Sequence, residues 1–358
     1  MTECDPFAEV TSVDSFRRMP EERSTLSAKL SRFPRLGLAH LPTPLEPMKR
    51  LTEHLGGPRL WVKREDATAI GFGGNKLRKL DYVLHEAVAG KADTLVSGGV
   101  VQSNSQLQVA AAAAKLGLQC HLAVYHGRLS PPTPEYETSG NAFLNRLFGA
   151  HLHDVPWTGD RNGAIRALGE RLRQEGRRPY FVPYGVSNVL GAVGYASTID
   201  EIAAQSSACG FHPSAIVHCT GSAATQAGLV VGASIALKGT RVVGIDIDAE
   251  PERVRSDVVR YAKAAADLLE ASFDDADVEV IAGHAGPAYG VPHDATVEAI
   301  KLAGALEALA LDPVYSGKGL AGLIALVRTG WWRPGDNVVF LHTGGAPALF
   351  AYRSALTI

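Results

Sequence analysis

Short apolar runs alternate along this chain with longer segments whose apolar positions recur every three or four residues. The run "DTLVSGG" precedes "QLQVAAAAAKLG", "SAIVHCT" precedes "TQAGLVVGASIALKG", and "RVVGIDI" precedes a long segment from about residue 251. A further run, "NVVFLH", lies near the C-terminus. The short runs read as buried strands and the longer segments as amphipathic helices. In the segment that begins at Lys76, the side chains of Leu77, Leu80, Leu84 and Val88 fall on one helical stripe. Strands alternating with helices predict an α/β fold with parallel sheets covered by helices on both faces. In such folds ligands bind at the carboxyl ends of strands, where loops meet helix N-termini. Three loops there are rich in Gly, Ser, Thr and Asn: residues 71–75, 97–105 and 220–225. Residues 1–40, polar and broken by prolines, read as an arm or short helices wrapping the body.

The composition narrows the classes. The chain has 358 residues, a formal net charge of −2, 46% hydrophobic residues and 20% charged ones. That fits one large or two medium globular domains. A balance this close to neutral gives no electrostatic footprint for nucleic acid or an anionic membrane. No apolar stretch reaches the roughly 18 residues of a membrane span, and the acidic start "MTECDPFAEV" does not resemble a secretion signal. Cys4, Cys120, Cys209 and Cys219 are scattered without a C-x-x-C pair, which fits a reduced cytoplasm without disulfides or structural zinc. The histidines show no metal spacing, and "HLH" at 151–153 alternates as a strand does. No metal site is expected.

The candidate chemistry starts in "GFGGNKLRKL", residues 71–80, where Lys76, Arg78 and Lys79 open a helix. The first turn is positive already, so cations there are mismatched unless an anion sits nearby. A lysine beside other cations has a lowered pKa, which suits a Schiff base with a carbonyl cofactor carrying an anionic tail. The plain alternative is a solvated lysine. In "CTGSAATQAGL" a strand ends, a small-residue loop follows and a helix starts. Its backbone N–H groups and the hydroxyls of Thr220, Ser222 and Thr225 can hold a phosphate, or simply cap a turn. It matches neither a Walker loop nor the G-x-G-x-x-G fingerprint. In "VQSNSQLQVAA", Ser103 and Gln106 form an S-x-x-Q capping box, while Ser103 and Asn104 can also face a ligand.

These motifs occur in a recognisable order: "LPTPLEP", "WVKREDATAIGFGGNKLRKL", "GGVVQSNS", "ETSGNAFLNRLFGA", "GSAATQAGL", "YGVP", "DPVYSGKGLAGLI" and "LHTGGAPALFAY". From about residue 36 to the C-terminus the chain resembles the D-cysteine desulfhydrase and 1-aminocyclopropane-1-carboxylate deaminase family, pyridoxal phosphate enzymes with the tryptophan synthase β-like fold. The resemblance implies a two-domain α/β molecule and a homodimer. Residues 90–185 would form a small domain inserted in a larger one made of 1–89 and 186–358, with the cofactor in the cleft. It also implies that Lys76 holds the cofactor aldehyde, Lys79 reaches the phosphate and Asn104 contacts the 3′ oxygen. Thr220, Gly221, Ser222, Ala223, Ala224 and Thr225 would bind the phosphate. Ser103, Asn104, Ser105, Tyr289 and Tyr315 would line the substrate side, with Ser103, Tyr289 and Tyr315 acting alongside Lys76. Without the resemblance, Tyr289 and Tyr315 read as packing tyrosines.

Within that family, deaminases carry a glutamate after the tyrosine of "DPVYSGK", desulfhydrases a small hydroxyl residue, and here it is Ser316, which the resemblance implies would sit beside the pyridine nitrogen. A neutral hydroxyl leaves the ring unprotonated and a weaker electron sink, which suits β-elimination. Ser105, Leu107, Val186, Ala223 and Ala224 depart from the desulfhydrase pattern. The leading expectation is therefore a lyase that eliminates the β group of a small amino acid, giving a keto acid and ammonia, in the manner of D-cysteine desulfhydrase. Deamination of the cyclopropane amino acid, a β-replacement reaction and an inactive binding protein on the same fold are the alternatives.

Overall fold

The computed structural model describes residues 25–356; the first part of the predicted N-terminal arm, residues 1–24, lies outside them. Among the described residues ten strands form two sheets: β1 (Leu45–Pro47), β2 (Arg59–Arg64), β3 (Thr94–Val100), β4 (Gln119–His126), β5 (His151–Pro156), β6 (Pro179–Phe181), β7 (Ala215–Thr220), β8 (Arg241–Asp246), β9 (Val278–Ile281) and β10 (Asn337–His342). One sheet has the order β5-β4-β3-β6 and is parallel throughout. The other has the order β1-β2-β10-β7-β8-β9, parallel except for β1 against β2. The smaller sheet is thus built from residues 94–181, between strands of the larger one.

The helices that matter for the cavity are α1 (Thr25–Leu30), α2 (Lys49–Leu55), α3 (Asn75–Ala89), α4 (Asn104–Leu116), α5 (Gly140–Leu147), α6 (Gly163–Gln174), α7 (Val189–Ala208), α8 (Ala224–Ala236), α9 (Pro251–Leu269), α10 (Asp294–Glu307) and α11 (Ser316–Arg328). Parallel strands joined by crossover helices bury both faces, so their sequences read as continuous apolar runs. Every residue of β3, "TLVSGGV", is buried. Leu77, Leu80, Val83 and Leu84 of α3 pack with Val109 of α4 and with Leu95 and Leu122 of the smaller sheet. Ile165, Leu168 and Leu172 of α6 cover its other face. Helices α7, α8 and α9 cover one face of the larger sheet, and α2, α10 and α11 the other. The stripe read along α3 ends early, because Val88 is 44% exposed and Val83 is buried instead.

An ion network anchors α3 to the larger sheet. Arg78, fully buried, donates to both carboxylate oxygens of buried Glu65 (2.8 and 2.7 Å) and to Glu201 of α7 (2.8 Å). Lys63 of β2 pairs with the same Glu201 at 2.7 Å. Two acids against two cations let these charges stay buried, and they fix where α3 begins.

Candidate active site

The chain entering α3 is built for close approach. A Cβ at Gly73 would stand 1.8 Å from the carbonyl oxygen of Asp66, so only glycine fits there. The helix start is then tied from outside: the Asn75 N–H donates to the Thr343 carbonyl (3.0 Å) and the Leu77 N–H to Gln108 Oε1 (2.8 Å). This turns Lys76 into a cavity enclosing about 650 Å³, its open mouth included. The cavity wall comes mainly from residues that follow β3, β5, β6, β7, β8 and β10, the carboxyl ends of both sheets. Among the described residues the Lys76 ammonium makes no ion pair. Burial lowers its pKa from 10.5 to about 8, with only a small opposing push from the Cys219 thiol.

Besides the start of α3 and Tyr315, the N-cap of α11, the N-termini of α4 and α8 meet the cavity. At α4, Ser103 accepts a hydrogen bond from the Gln106 N–H (3.3 Å) as N-cap. The return half of the predicted capping box is missing: the Ser103 N–H donates to the Val100 carbonyl (2.9 Å), and Gln106 is turned so that its Nε2 donates to the Ala123 carbonyl (2.9 Å). Asn104 Oδ1 accepts from Asn141 Nδ2 of α5 (2.6 Å), which holds its amide in one orientation. Among the described residues Ser105 Oγ is buried without a hydrogen-bond partner. At α8 the loop residues Thr220, Gly221, Ser222, Ala223 and Thr225 all line the cavity, and Thr220 Oγ1 is likewise buried and unpartnered. Ala223 has φ 74° and ψ −44°, and the Ala224 N–H donates to the Ser222 carbonyl (3.0 Å), a strained γ-turn. Asn75 Nδ2 bonds Thr225 Oγ1 at 3.0 Å, linking the lysine's helix to this loop.

Elsewhere in the wall the Tyr289 and Tyr315 hydroxyls are hydrogen-bonded to each other, and burial raises both pKa values. Cys219 Sγ contacts Thr343 Oγ1 (3.2 Å), and burial pushes the thiol up to about 11.

Of the residues singled out in the sequence, Lys76, Ser103, Asn104, Ser105, Thr220, Gly221, Ser222, Ala223, Thr225, Tyr289 and Tyr315 come together around this one cavity. Three stand behind its wall. Lys79 is buried with its Nζ 3.4 Å from the Gly185 carbonyl, and Ala224 is turned into the core. Ser316 is fully buried: its Oγ donates to Asp312 Oδ2 (2.8 Å) and accepts from the Asp312 N–H (2.8 Å). Asp312 also takes the N–H groups of Val314, Tyr315 and Ser316, while burial raises its own pKa. The small hydroxyl after Tyr315 therefore faces a carboxyl group rather than the open cavity.

Sequence reasoning missed Tyr184, Gly185, Arg161, Ile247, Asp248, Cys219 and Thr343 as wall residues. Thr343 and Asp248 each follow a strand read correctly, so position after a strand was the available signal. Among the described residues no group of three His, Cys, Asp or Glu side chains is arranged to hold a metal ion, and no helix is long and apolar enough to cross a membrane.

A family model described as "Pyridoxal-phosphate dependent enzyme" matches residues 36–344. The chain is 44% identical over 331 residues to the 1-aminocyclopropane-1-carboxylate deaminases of Burkholderia multivorans and Burkholderia vietnamiensis, covering 90% of this chain and 97% of each relative. A crystal structure of an ACC deaminase homologue superposes with a TM-score of 0.83 at 32% identity, over 93% of this chain and 98% of that one.

Proposed function

Because the chain belongs to the pyridoxal-phosphate dependent enzyme family, we propose that it deaminates a small amino acid in this cavity, with Lys76 as the cofactor lysine and 1-aminocyclopropane-1-carboxylate as first substrate. The observation that carries the reading is a single lysine, lowered to about 8, between two helix N-termini with an orphaned hydroxyl at each. Those features fit pyridoxal phosphate. Thr220 Oγ1 and the small residues 221–225 at the start of α8 would hold the phosphate, since a helix N-terminus favours an anion. Ala224 packs into the core behind that loop, while the Lys79 amine is turned to the Gly185 carbonyl.

Bound pyridoxal phosphate would supply the electron sink for the bond that breaks at the substrate's α carbon: the ring Cα–Cβ bond of 1-aminocyclopropane-1-carboxylate, whose α carbon bears no hydrogen, or the Cα–H bond of a β-substituted amino acid. Lys76 has roughly one neutral amine in ten at pH 7 at a pKa of about 8, enough to engage the aldehyde and then to move a proton, at the β carbon of the cyclopropane substrate or at the α carbon of a β-substituted one. Ser103 and Ser105 at the start of α4 would receive the substrate carboxylate. Asn104, oriented by Asn141, would hold the cofactor's ring oxygen. The Tyr289 and Tyr315 hydroxyls, hydrogen-bonded to each other, would deliver or accept a proton at the substrate's β carbon. In this proposal residues 90–185 form the smaller unit, a division supported by the sheet confined to 94–181.

The relatives' named activity supports the deaminase over the desulfhydrase-like elimination expected from Ser316, and the turn of Ser316 toward Asp312 weakens the argument that led there. Elimination stays as the second reading for one reason. Among the described residues the only carboxylate in the cavity wall is Asp248, and arginines occupy both its oxygens. The ring nitrogen would then lack a free acid to protonate it, leaving the weaker sink that suits expulsion of a β group. A substrate panel separates the two. Keto acid release from the cyclopropane amino acid supports the first reading, and release only from β-chloroalanine or D-cysteine supports the second. A protein inert toward all three would be neither.

A further inference from the structure

The buried Lys318 has no role in the reaction proposed for the cavity. It stands in the first turn of α11, and its side chain is fully buried. Both places disfavour a cation: the start of a helix is positive already, and burial strips the ammonium of water. Burial lowers its pKa from 10.5 to about 8, against the pull of Asp312, Asp248 and Asp246. Among the described residues it makes no ion pair, and its Nζ donates to two main-chain carbonyls, those of Ala285 and Ala288 (the second at 3.2 Å). Methionine would fill similar space without the charge, so the lysine contributes through these donors. Both carbonyls belong to residues 282–293, which run from the end of β9 to the start of α10 without helix or strand. Among the described residues one main-chain bond lies within that stretch, from the Val291 N–H to the Ala288 carbonyl (3.2 Å). Side chains supply the other anchors. The Tyr352 hydroxyl donates to the Gly290 carbonyl (2.8 Å), the Tyr289 and Tyr315 hydroxyls bond each other, and the Arg128 guanidinium stacks 3.7 Å over the Tyr289 ring. Lys318 and Tyr352 thus grip the main chain on either side of Tyr289, which lines the cavity.

We propose that Lys318 is a positioning residue: it holds residues 282–293 as a strap along the cavity wall and so sets where the Tyr289 hydroxyl stands. The inference rests on the reading in which Tyr289 moves a proton at the substrate, and it adds the group that aims it. Lys318 is not among the residues that line the cavity, so its influence passes through the strap. A proton donor works over about 2.6–3.2 Å, and a misplacement of about 1 Å is enough to slow a reaction about a hundredfold. The strap has few other means of keeping that tolerance. With so few main-chain bonds it belongs with the segments that open locally at low cost. Removing the amine leaves the carbonyl of buried Ala285 with no donor among the described residues, which favours moving the strap to where water reaches it.

The test uses the holoenzyme and two readouts, the first independent of turnover. Chymotrypsin cleaves after accessible tyrosines, so the bond after Tyr289 reports whether the strap is in place. Lys318→Met should be cut there at least about tenfold faster than wild type, with cleavage at other aromatic residues unchanged. Acceleration at every site alike would show general loosening and overturn the proposal, as would unchanged protection at Tyr289. The second readout is kinetic, on whichever small amino acid the enzyme deaminates. Lys318→Met should lower kcat about 10- to 100-fold, while KM moves less than about threefold. In a Tyr289→Phe background the same substitution should lower kcat less than about threefold, because the hydroxyl it aims is gone. Losses that multiply independently would make Lys318 merely structural and overturn the proposal. A loss of pyridoxal phosphate affinity above about tenfold, read from the visible band, would assign Lys318 to cofactor binding and also overturn it. If Lys318→Met does not fold, Lys318→Gln, which keeps an amide donor, takes its place under the same criteria. If neither folds, the residue serves the core and the proposal falls. If no amino acid is turned over, the function proposed for the cavity falls by itself, and cleavage at Tyr289 alone decides whether Lys318 holds the strap.

Discussion

Replacing Lys76 by methionine, which has similar length and no charge, is expected to stabilise the cofactor-stripped protein. Burial lowers the Lys76 pKa from 10.5 to about 8, so the folded chain carries a cation it disfavours. The sign follows from proton counts. Below pH 8 the amine is protonated in the folded and the unfolded chain alike, and the whole penalty applies. Between 8 and 10.5 the unfolded chain binds more protons than the folded one, so wild-type stability rises with pH. At 1.36 kcal/mol per pKa unit the difference sets a ceiling of about 3 kcal/mol. Lys76 is only partly buried and reaches an open cavity, and water there reduces the expected gain to about 1–3 kcal/mol at pH 7. Urea unfolding of both stripped proteins at pH 7 and near pH 10.5 measures it. The variant should be the more stable at pH 7, with the gap closing at high pH. A gap that is absent, or equal at both pH values, would mean that the lysine is not held against its charge and would refute the reasoning.

Arg78→Met should cost about 3–5 kcal/mol in the same unfolding assay, because it leaves Glu65 buried without its bidentate partner; a loss below 1 kcal/mol would show that the network is dispensable. At Ala223, glycine should leave stability within about 1 kcal/mol of wild type. Relief of about 1–3 kcal/mol of backbone strain opposes loss of a buried methyl, about 0.8 kcal/mol, and added chain freedom, about 0.5–1 kcal/mol. Ala223→Val should instead lose at least about 2 kcal/mol, since a β-branched residue tolerates φ near +74° poorly; thermal melts that rank valine at or above glycine would contradict the γ-turn.

The strand–helix alternation was legible because parallel strands buried on both faces must be apolar throughout, as β3 and β7 are. Lys76 was legible through the mismatch of a cation in the first turn of a helix. The cause assigned to its lowered pKa was incomplete: Arg78 turns away to Glu65 and Glu201, and desolvation rather than cationic neighbours depresses Lys76. Adjacent positions on a helix point 100° apart, so three cations in four residues had three different surroundings. Ser316 was misplaced for a related reason, since a serine opening a helix can turn toward a nearby acid, and Asp312 is four residues earlier. Arg128, Arg161 and Asp248 were not legible. Each lies in a separate loop where a charged residue looks solvated, and only the packing of the two sheets brings them together.

The central claim is that Lys76 carries the cofactor. Reducing the holoprotein with borohydride and mapping the pyridoxyl group by peptide mass spectrometry tests it most directly. The account predicts loss of the visible absorbance band and a single adduct on the peptide containing Lys76. An adduct on Lys79 or on any other lysine, or no adduct after incubation with pyridoxal phosphate, would contradict it.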